Sequence, residues 1–457
     1  MKKTLTLSIA SIIAISNVYA AEDLSSMFSG GKTSGQIRMF YVDREYQGSS
    51  GASTHRDSFA LGGHLKYETA AYEGLSMAAA FYTTNKINLQ QHDVSDPSLL
   101  GTGLESYSIL GEAYINYDFS QFGTKTNAKL GLQRYDVPMM GSDDARMLPN
   151  TFEAYKFTNS DIENVNLQVA HVNRIAYGTF SNIYLNDGTS NAKSIFASTS
   201  GYPAGQPSVN NSQTGKYLNM GDAAVGKSTN GVTNAMISYK AKNFNVKLSN
   251  DYAWDLYNTL YADASMSYGS ESLKPFVAVQ AIKQNSVGDK YMQHSTMGGD
   301  GKIDSLYWAA KVGAKYDGLS GYIAYSQTGE NNTADASYKN AILTQFGGMP
   351  AYTQAMVTRH QFLAGTKTTK VAAAYSFKGQ GVNLSTAAYY VSFDMDENSG
   401  YGIARTAYEP GFDIKYYPAS IKNLQLRFRG NYPRRFYEDA SGDTGWSEYR
   451  LIANYNF

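Results

Sequence analysis

A short segment carries acidic and basic side chains close enough together to act on a charged solute. Asp143, Asp144 and Arg146 lie within one short stretch, and Glu153 follows. If segment 136–151 folds into a hollow interior, these groups place both signs of charge at its narrowest point, where a pore selects by diameter and lining charge. The alternative is structural: Arg146 and Glu153 pair and anchor the segment against the wall.

A second set of charges lies at alternate positions of otherwise apolar segments. Successive side chains of a strand point to opposite faces, so these charges would share the polar face. The set comprises Arg38, Lys129, Lys247, Lys415, Arg427, Arg429 and Arg450. A row of guanidinium groups would pass a carboxylate from one to the next. Ordinary solvation and ion pairs with Asp413 or Glu448 are the alternative.

Catalytic and metal-binding motifs are missing or incomplete. The six histidines show neither an HExxH motif nor paired-ligand spacing, and no G-x-S-x-G elbow occurs. Asp394 and Asp396 open a segment that resembles a calcium loop, but its twelfth position is Arg405, where an EF-hand has Glu. We therefore expect neither an enzyme nor a cofactor. A structural Ca²⁺, held by Asp143 and Asp144 or by Asp394 and Asp396, is the alternative.

The elements that would position these residues are amphipathic β-strands, predicted by period-two alternation along the chain. One face of a single segment holds Leu306, Trp308, Ala310, Val312, Ala314 and Tyr316, and the other holds Lys311 and Lys315. We predict eighteen strands, with sixteen as the alternative. They lie near 33–43, 58–68, 75–84, 107–118, 126–135, 152–159, 165–174, 232–241, 244–252, 258–268, 273–283, 304–316, 319–328, 366–377, 382–393, 406–417, 423–431 and 447–457.

Connector lengths alternate between short and long. The short ones include 69–74, 119–125 and Asp317-Gly318, a tight-hairpin signal. The long ones are 44–57, 85–106, 175–231, 284–303 and 329–365. Short turns at one rim and long loops at the other are typical of an antiparallel up-and-down barrel of the outer membrane. Strand alternation alone also fits a soluble β-sandwich.

Composition narrows the class further. The chain of 457 residues has 38 Tyr and 42 Gly, and Tyr in this abundance fits the interfacial girdles of a membrane barrel. It has no Cys, which excludes disulfides and cysteine metal sites. Basic and acidic residues balance at 39 each, so no nucleic-acid partner is expected.

Both ends of the chain carry export signals. Lys2 and Lys3 precede an apolar stretch that closes at Ala20, which predicts a cleaved signal peptide over 1–20 and a single barrel domain over 21–457. No later apolar run approaches the roughly 18 residues that a helical span needs. The last strand alternates to Tyr455 and Phe457, which resembles the terminal signal that the barrel-assembly machinery reads.

Several segments together resemble the outer-membrane porin D family of Gram-negative bacteria. They are 31–38 (GKTSGQIR), 143–153 (DDARMLPNTFE), 158–162 (TNSDI) and 347–353 (GGMPAYT). The second is similar to the most recognisable family motif, the third to the turn that follows it, and the fourth to a loop before the fourteenth strand. The resemblance implies an 18-stranded barrel, narrowed by inward-folded loops, that passes basic amino acids, peptides or other small charged solutes. The 175–231 loop matches no family pattern.

We therefore expect a porin for passive diffusion of small hydrophilic or charged solutes. Its expected surroundings are outer-membrane lipid and lipopolysaccharide, with a homotrimer as an open alternative. The rival function is an adhesin or structural barrel that acts through its long loops, and the long, weakly charged 175–231 loop favours it. A receptor with a plug domain is disfavoured, because little sequence precedes the first strand.

Overall fold

A computed structural model describes residues 21–47, 53–89, 91–92, 95–184, 214–270, 272–289, 302–336, 338–399, 404–436 and 445–457. The expected signal peptide over 1–20 lies outside these ranges, and so does 185–213 of the expected long loop.

Alternation of polar and apolar side chains along the chain produces a sheet that closes on itself. Within the described ranges the strands are β1 (Lys32–Gln47), β2 (Ser53–Glu68), β3 (Leu75–Ile87), β4 (Tyr107–Asp118), β5 (Thr126–Gln133), β6 (Thr151–Asn159), β7 (Val165–Ala176), β8 (Leu218–Asn219), β9 (Val232–Lys240), β10 (Phe244–Ala253), β11 (Tyr257–Ser267), β12 (Leu273–Ser286), β13 (Asp304–Tyr316), β14 (Leu319–Thr328), β15 (Lys367–Ser376), β16 (Leu384–Met395), β17 (Arg405–Tyr416), β18 (Leu424–Asn431) and β19 (Trp446–Asn456).

Eighteen of these strands form the closed antiparallel barrel. β1 pairs with both β2 and β19, which closes the sheet, and β7 pairs with β9. The two-residue β8 pairs only with the end of β7, inside a long loop. The predicted count of eighteen is confirmed. The boundaries of β4, β13 and β14 coincide with the predicted ones.

Helices are few and short. α1 (Leu24–Ser29) precedes β1, and α2 (Thr179–Tyr184) and α3 (Met220–Val225) lie in the loop between β7 and β9. Single 3-10 turns occur at Pro97–Leu99, Thr102–Leu104, Ser120–Phe122, His360–Phe362 and Phe377–Gln380. Across the described ranges, no helix combines the length and apolarity needed to cross a membrane.

The two faces of the wall differ as the alternation predicts. On β13, Leu306, Trp308 and Val312 are exposed on the outside, whereas Tyr307 and Ala309 are buried inside. Other strands repeat this pattern. An outer face this apolar suits contact with lipid, because the strands leave their polar alternate positions to the lumen.

Connections at the two rims have different lengths, as predicted. At one rim, β13 and β14 are joined by Asp317 and Gly318 alone, and Asp317 adopts a φ of 47°. At the other rim, the connections after β3, β5, β7 and β14 are long, and several of them turn inward. The buried apolar core therefore lies inside the barrel, between these loops and the wall, and includes Tyr135, Met140, Phe152, Phe346 and Phe362.

Candidate functional site

The loop between β5 and β6, residues 134–150, folds into the barrel. Its Tyr135, Met139 and Met140 are buried against the inner wall. Asn150 holds the loop closed, because its Nδ2 donates to the carbonyl of Gly141 at 2.8 Å and its Oδ1 accepts from the Gly178 N–H at 2.8 Å. The loop that was predicted over 136–151 thus narrows the lumen.

A second inward loop, residues 329–366, meets the first one. The Gly141 N–H donates to the carbonyl of Phe346 at 3.2 Å. Gly347 and Gly348 follow with φ of 70° and 75°, and a Cβ on Gly348 would lie 2.7 Å from the Pro138 carbonyl oxygen. The GGMPAYT segment over 347–353 therefore lies where the two loops touch, and its glycines are required by this close approach.

Glu409 of β17 fixes the far part of the second loop to the wall. Its carboxylate accepts the backbone N–H groups of Met356 and Thr358, at 2.9 and 3.0 Å, and the Thr358 hydroxyl at 2.7 Å. The Tyr389 hydroxyl also donates to it. A buried carboxylate with this many donors restricts the loop to one position.

Asp144 is the acidic group that the first loop presents to the lumen. Arg38 Nη1 of β1 lies 2.6 Å from Asp144 Oδ1, and Arg134 Nη2 lies 3.6 Å from Oδ2. Burial opposes ionisation, but these two guanidinium groups outweigh it and hold the pKa of the Asp144 carboxyl below its usual range. Asp144 is therefore ionised at neutral pH.

Asp143 points to the second loop. Its Oδ2 lies 3.5 Å from Arg359 Nη2 and accepts from the Ser181 hydroxyl at 3.3 Å. The two neighbouring acids thus diverge and pair with different guanidinium groups, Asp143 with Arg359 and Asp144 with Arg38 and Arg134. This arrangement fastens three segments of the lumen to one another.

Arg146 is fully buried and does not line the open lumen. Its Nη2 donates to Glu448 Oε1 of β19 at 2.6 Å, and its Nε donates to the Ser98 hydroxyl at 3.1 Å. Glu448 also lies 2.9 Å from Arg44 and 2.5 Å from Arg450. Arg146 therefore anchors the loop to the wall, as one of the two predictions had it. Its partner is Glu448, and the prediction that it pairs with Glu153 is wrong.

Glu153 lies on the outer face of the wall and is not part of the constriction. Its carboxylate pairs with Arg174 of β7. It precedes an irregularity in the β6–β7 register and shares the face of Tyr155 and Phe157, both of which are exposed. The prediction that placed Glu153 at the constriction is therefore wrong, because β6 turns this side chain away from the lumen.

The predicted basic wall runs along β17, β18, β19 and β1. Arg429 lies opposite both Asp413 and Arg450 in the strand register, and Arg427 lies opposite Lys415. Asp413 accepts from Arg427 Nε at 2.7 Å, and it lies 3.7 Å from Lys415 and 3.8 Å from Arg429. The predicted ion pairs with Asp413 and Glu448 are therefore present, and each carboxylate is surrounded by three cations.

The remaining predicted cations lie elsewhere on the wall. Lys129 Nζ is 3.7 Å from the centre of the Tyr114 ring, and Lys66 Nζ donates to the hydroxyl of the same tyrosine at 2.7 Å. Lys247 lies opposite Asp263 in the β10–β11 register. They are thus separated from the basic wall and form parts of other lumen surfaces.

Comparison with known proteins agrees with this geometry. Residues 26–194 match the family model described as outer membrane porin, OprD family. Over these residues the chain is similar to the OprD porin family. The resemblance predicted from the sequence is confirmed, and the matched range includes the first inward loop. No curated protein sequence matches the chain significantly.

The porin barrel is also similar to solved structures from Pseudomonas aeruginosa. These are OccK9 (OpdG), OpdK with vanillate, and OccK2 (OpdF) in complex with glucuronate, with TM-scores of 0.72, 0.71 and 0.66. The identities are 16%, 15% and 13%, and each comparison covers 94% of this chain and 99%, 99% and 97% of the other. At such identities the likeness shows the 18-stranded fold alone.

The match to a porin family model indicates an outer-membrane barrel, and the lengths of its connections orient it. Outer-membrane barrels turn their long loops outward and their short turns to the periplasm. At the periplasmic end, Tyr455 and Phe457 are exposed on the outer face, and the Phe457 N–H donates to the Gly35 carbonyl at 3.1 Å. Recognition of these aromatic residues by the assembly machinery stays a prediction.

The calcium candidates of the porin do not converge. Asp394 accepts from the Thr406 hydroxyl at 3.1 Å, and Asp396 accepts from the Asn398 N–H at 2.8 Å in a turn. Asp143 and Asp144 pair with different arginines, as described. In the part of the chain that the structure describes, one group of three or more metal-binding side chains occurs, and none of these four acids belongs to it.

Several lumen residues were missed by the sequence prediction. Arg44 lies on the same inward face of β1 as Arg38, so strand alternation alone could have identified it. Arg134 and Arg359 lie in loops, where no periodicity marks the direction of a side chain. Their positions follow only from the contacts between the two inward loops.

Proposed function

We propose that this outer-membrane channel favours small solutes that carry a carboxylate. The observation that carries the proposal is the cluster of Lys415, Arg427 and Arg429 around the single carboxylate of Asp413. Three cations and one anion leave a positive excess on this part of the wall. The cluster lies on the periplasmic half of β17 and β18, below the constriction.

The cations of this cluster are accessible from the lumen. The side chains of Lys415, Arg427 and Arg429 have 33%, 23% and 16% of their surface exposed to solvent. The exposed parts of these side chains can donate to a solute carboxylate, and guanidinium–carboxylate contacts are among the stronger hydrogen bonds.

Arg450 and Arg38 extend the basic surface toward the constriction, but both are nearly buried and already paired. They position Glu448 and Asp144, respectively. Two of the similar structures were solved with carboxylated ligands, vanillate on OpdK and glucuronate on OccK2. This supports the same solute class for the present chain. An adhesive function is not supported by the family match.

The test is electrical. The refolded protein is inserted in a planar bilayer, and reversal potentials are measured under a KCl gradient and then under a sodium glucuronate gradient. Discrete conductance steps with preference for chloride and for glucuronate are expected. Charge reversal in the double variant R427E/R429E should shift the reversal potentials toward those of a cation-selective channel, because the excess positive charge of the cluster becomes negative.

Lys242→Glu is the matched control, since Lys242 is exposed in the short turn between β9 and β10. It changes one charge outside the lumen and should leave selectivity unchanged. A folded barrel without conductance steps would contradict the channel itself. Conductance with selectivity unchanged in R427E/R429E would contradict only the carboxylate preference.

A further inference from the structure

Three side chains that are not part of the constriction lie close together at the extracellular rim. Asp43 is near the end of β1, His55 is near the start of β2, and His92 lies in the loop that follows β3. Asp43 belongs to the outward face of β1, since Arg38, Phe40 and Arg44 are buried on the inward face. All three side chains are partly exposed and accessible to solvent ions.

The distances within this cluster suit a shared metal ion. His55 Nε2 lies 3.1 Å from both carboxylate oxygens of Asp43, and His92 Nε2 lies 3.8 Å from Oδ2. The three ligand atoms are within 4.8 Å of one another. Metal bonds of about 2.0–2.2 Å to nitrogen and oxygen separate neighbouring ligand atoms by roughly 3–3.5 Å. The ligand atoms are therefore close enough to share one ion, once the two imidazole side chains rotate so that both Nε2 atoms face it.

The surroundings hold these ligands in place. The two imidazole rings lie side by side, with their centroids 3.6 Å apart in the metal-free protein. The buried carboxylate of Asp57 accepts the backbone N–H groups of Gln91 at 2.7 Å and His92 at 3.0 Å, which fixes the loop beside the strands. The Tyr41 hydroxyl donates to Asp43 Oδ2 at 3.3 Å. Such outer contacts orient metal ligands and are characteristic of metal sites.

We propose that Asp43, His55 and His92 bind a divalent transition-metal ion of the Zn²⁺ class. Two imidazoles and one carboxylate suit Zn²⁺, Ni²⁺ or Cu²⁺, whereas Ca²⁺ and Mg²⁺ prefer sites built of oxygen ligands. Three protein ligands leave a coordination position open to solvent. The bound ion joins the hairpin of β1 and β2 to the loop over 88–106.

This loop also reaches the interior of the barrel. Asp96 Oδ2 lies 2.8 Å from Arg44 Nη1, and the Ser98 hydroxyl accepts from Arg146 Nε at 3.1 Å. A metal ion at His92 would therefore secure the loop that supports the buried arginines behind the constriction. The site joins the extracellular surface to the packing of the first inward loop.

The test uses untagged, refolded full-length protein in detergent and Zn²⁺ alone, measured by competition with a coloured chelator. Wild type should bind one Zn²⁺ per chain, and His55→Gln and His92→Gln should each weaken binding about 10-fold or more, since even the loss of an outer contact typically costs about 10–100-fold. Excess Ca²⁺ should not displace the ion. His171→Gln is the control, because His171 lies on β7 and contacts Thr233.

Hydrogen exchange gives an independent readout. Zn²⁺ should slow exchange of the Gln91 and His92 amides in wild type and in His171→Gln, but not in His55→Gln. Heat-modifiable migration on a gel verifies that every variant is folded. Zn²⁺ binding that is equal in wild type and His92→Gln would overturn the proposal, as would an absence of saturable binding by the folded wild type. Displacement of bound Zn²⁺ by excess Ca²⁺ would overturn the assignment to a transition-metal ion of the Zn²⁺ class.

Discussion

Arg146 Nη2 donates to Glu448 Oε1 at 2.6 Å, and neither side chain has any exposure to solvent. This contact joins the first inward loop to β19, the strand that closes the barrel against β1. Arg44 and Arg450 share the same carboxylate. The position of the constriction therefore depends on one buried anion that holds three guanidinium groups.

Replacing Glu448 by Gln should destabilise the barrel strongly, because three buried guanidinium groups would lose their shared anion. Loss of one partner in a buried ion pair costs about 3–5 kcal/mol. The measurement is the temperature at which the folded band on a gel converts to the unfolded band. The control, Glu153→Gln, affects a partly exposed pair with Arg174 on the outer face and should cost about 0–1 kcal/mol. Equal shifts for the two variants would contradict the central role of Glu448.

Replacing Asp144 by Asn should make the channel more selective for anions. The variant removes a full negative charge from the lumen, because Arg38 and Arg134 keep the pKa of Asp144 below its usual range. For the same reason, the contribution of wild-type Asp144 to selectivity should persist from pH 7 to pH 5. The reversal potential under a KCl gradient measures the shift. Asp394→Asn, at the exposed end of β16, should leave it unchanged.

Strand parity predicted the wall well, for a physical reason. A period of two assigns each strand residue to lipid or lumen, so the inward placement of Arg427, Arg429 and Arg450 followed from the sequence alone. The same rule also places Glu153 on the outer face, beside Tyr155 and Phe157. The error at Glu153 came from its closeness in sequence to the inward loop, which does not determine the direction of a side chain.

Contacts between loops could not be predicted in this way. Arg146 and Glu448 are 302 positions apart, and Asp143 and Arg359 are 216 apart. Loops have no periodicity that would give the direction of a side chain. His55 and His92 show the same limit: their spacing in sequence fits no metal motif, and only the fold of the loop beside β2 brings their rings together.

Replacing Gly348 by Ala should displace the junction of the two inward loops. The residue adopts a φ of 75°, and a Cβ would lie 2.7 Å from the Pro138 carbonyl oxygen and 2.8 Å from the Met140 nitrogen. A cost above about 1 kcal/mol is expected, because both the conformation and the space are unfavourable. Single-channel conductance should rise or become unsteady. Gly379→Ala, with nothing within 4 Å of the added methyl, should behave as wild type.

Asp161 should stabilise the periplasmic turn between β6 and β7 in a pH-dependent manner. The Lys125 N–H, the Thr124 hydroxyl and the Asn159 amide all donate to its carboxylate, and they lower its pKa to about 2. A lowered pKa in the folded state gives stability that is complete above the usual value of 3.8 and is lost as the pH falls through about 2. Wild type should therefore unfold at a higher temperature than Asp161→Asn at pH 7, and the difference should vanish near pH 2. Glu163→Gln removes a charge from the same turn without these donors. If its unfolding temperature changed with pH as that of Asp161→Asn does, net charge and not the three hydrogen bonds would explain the effect.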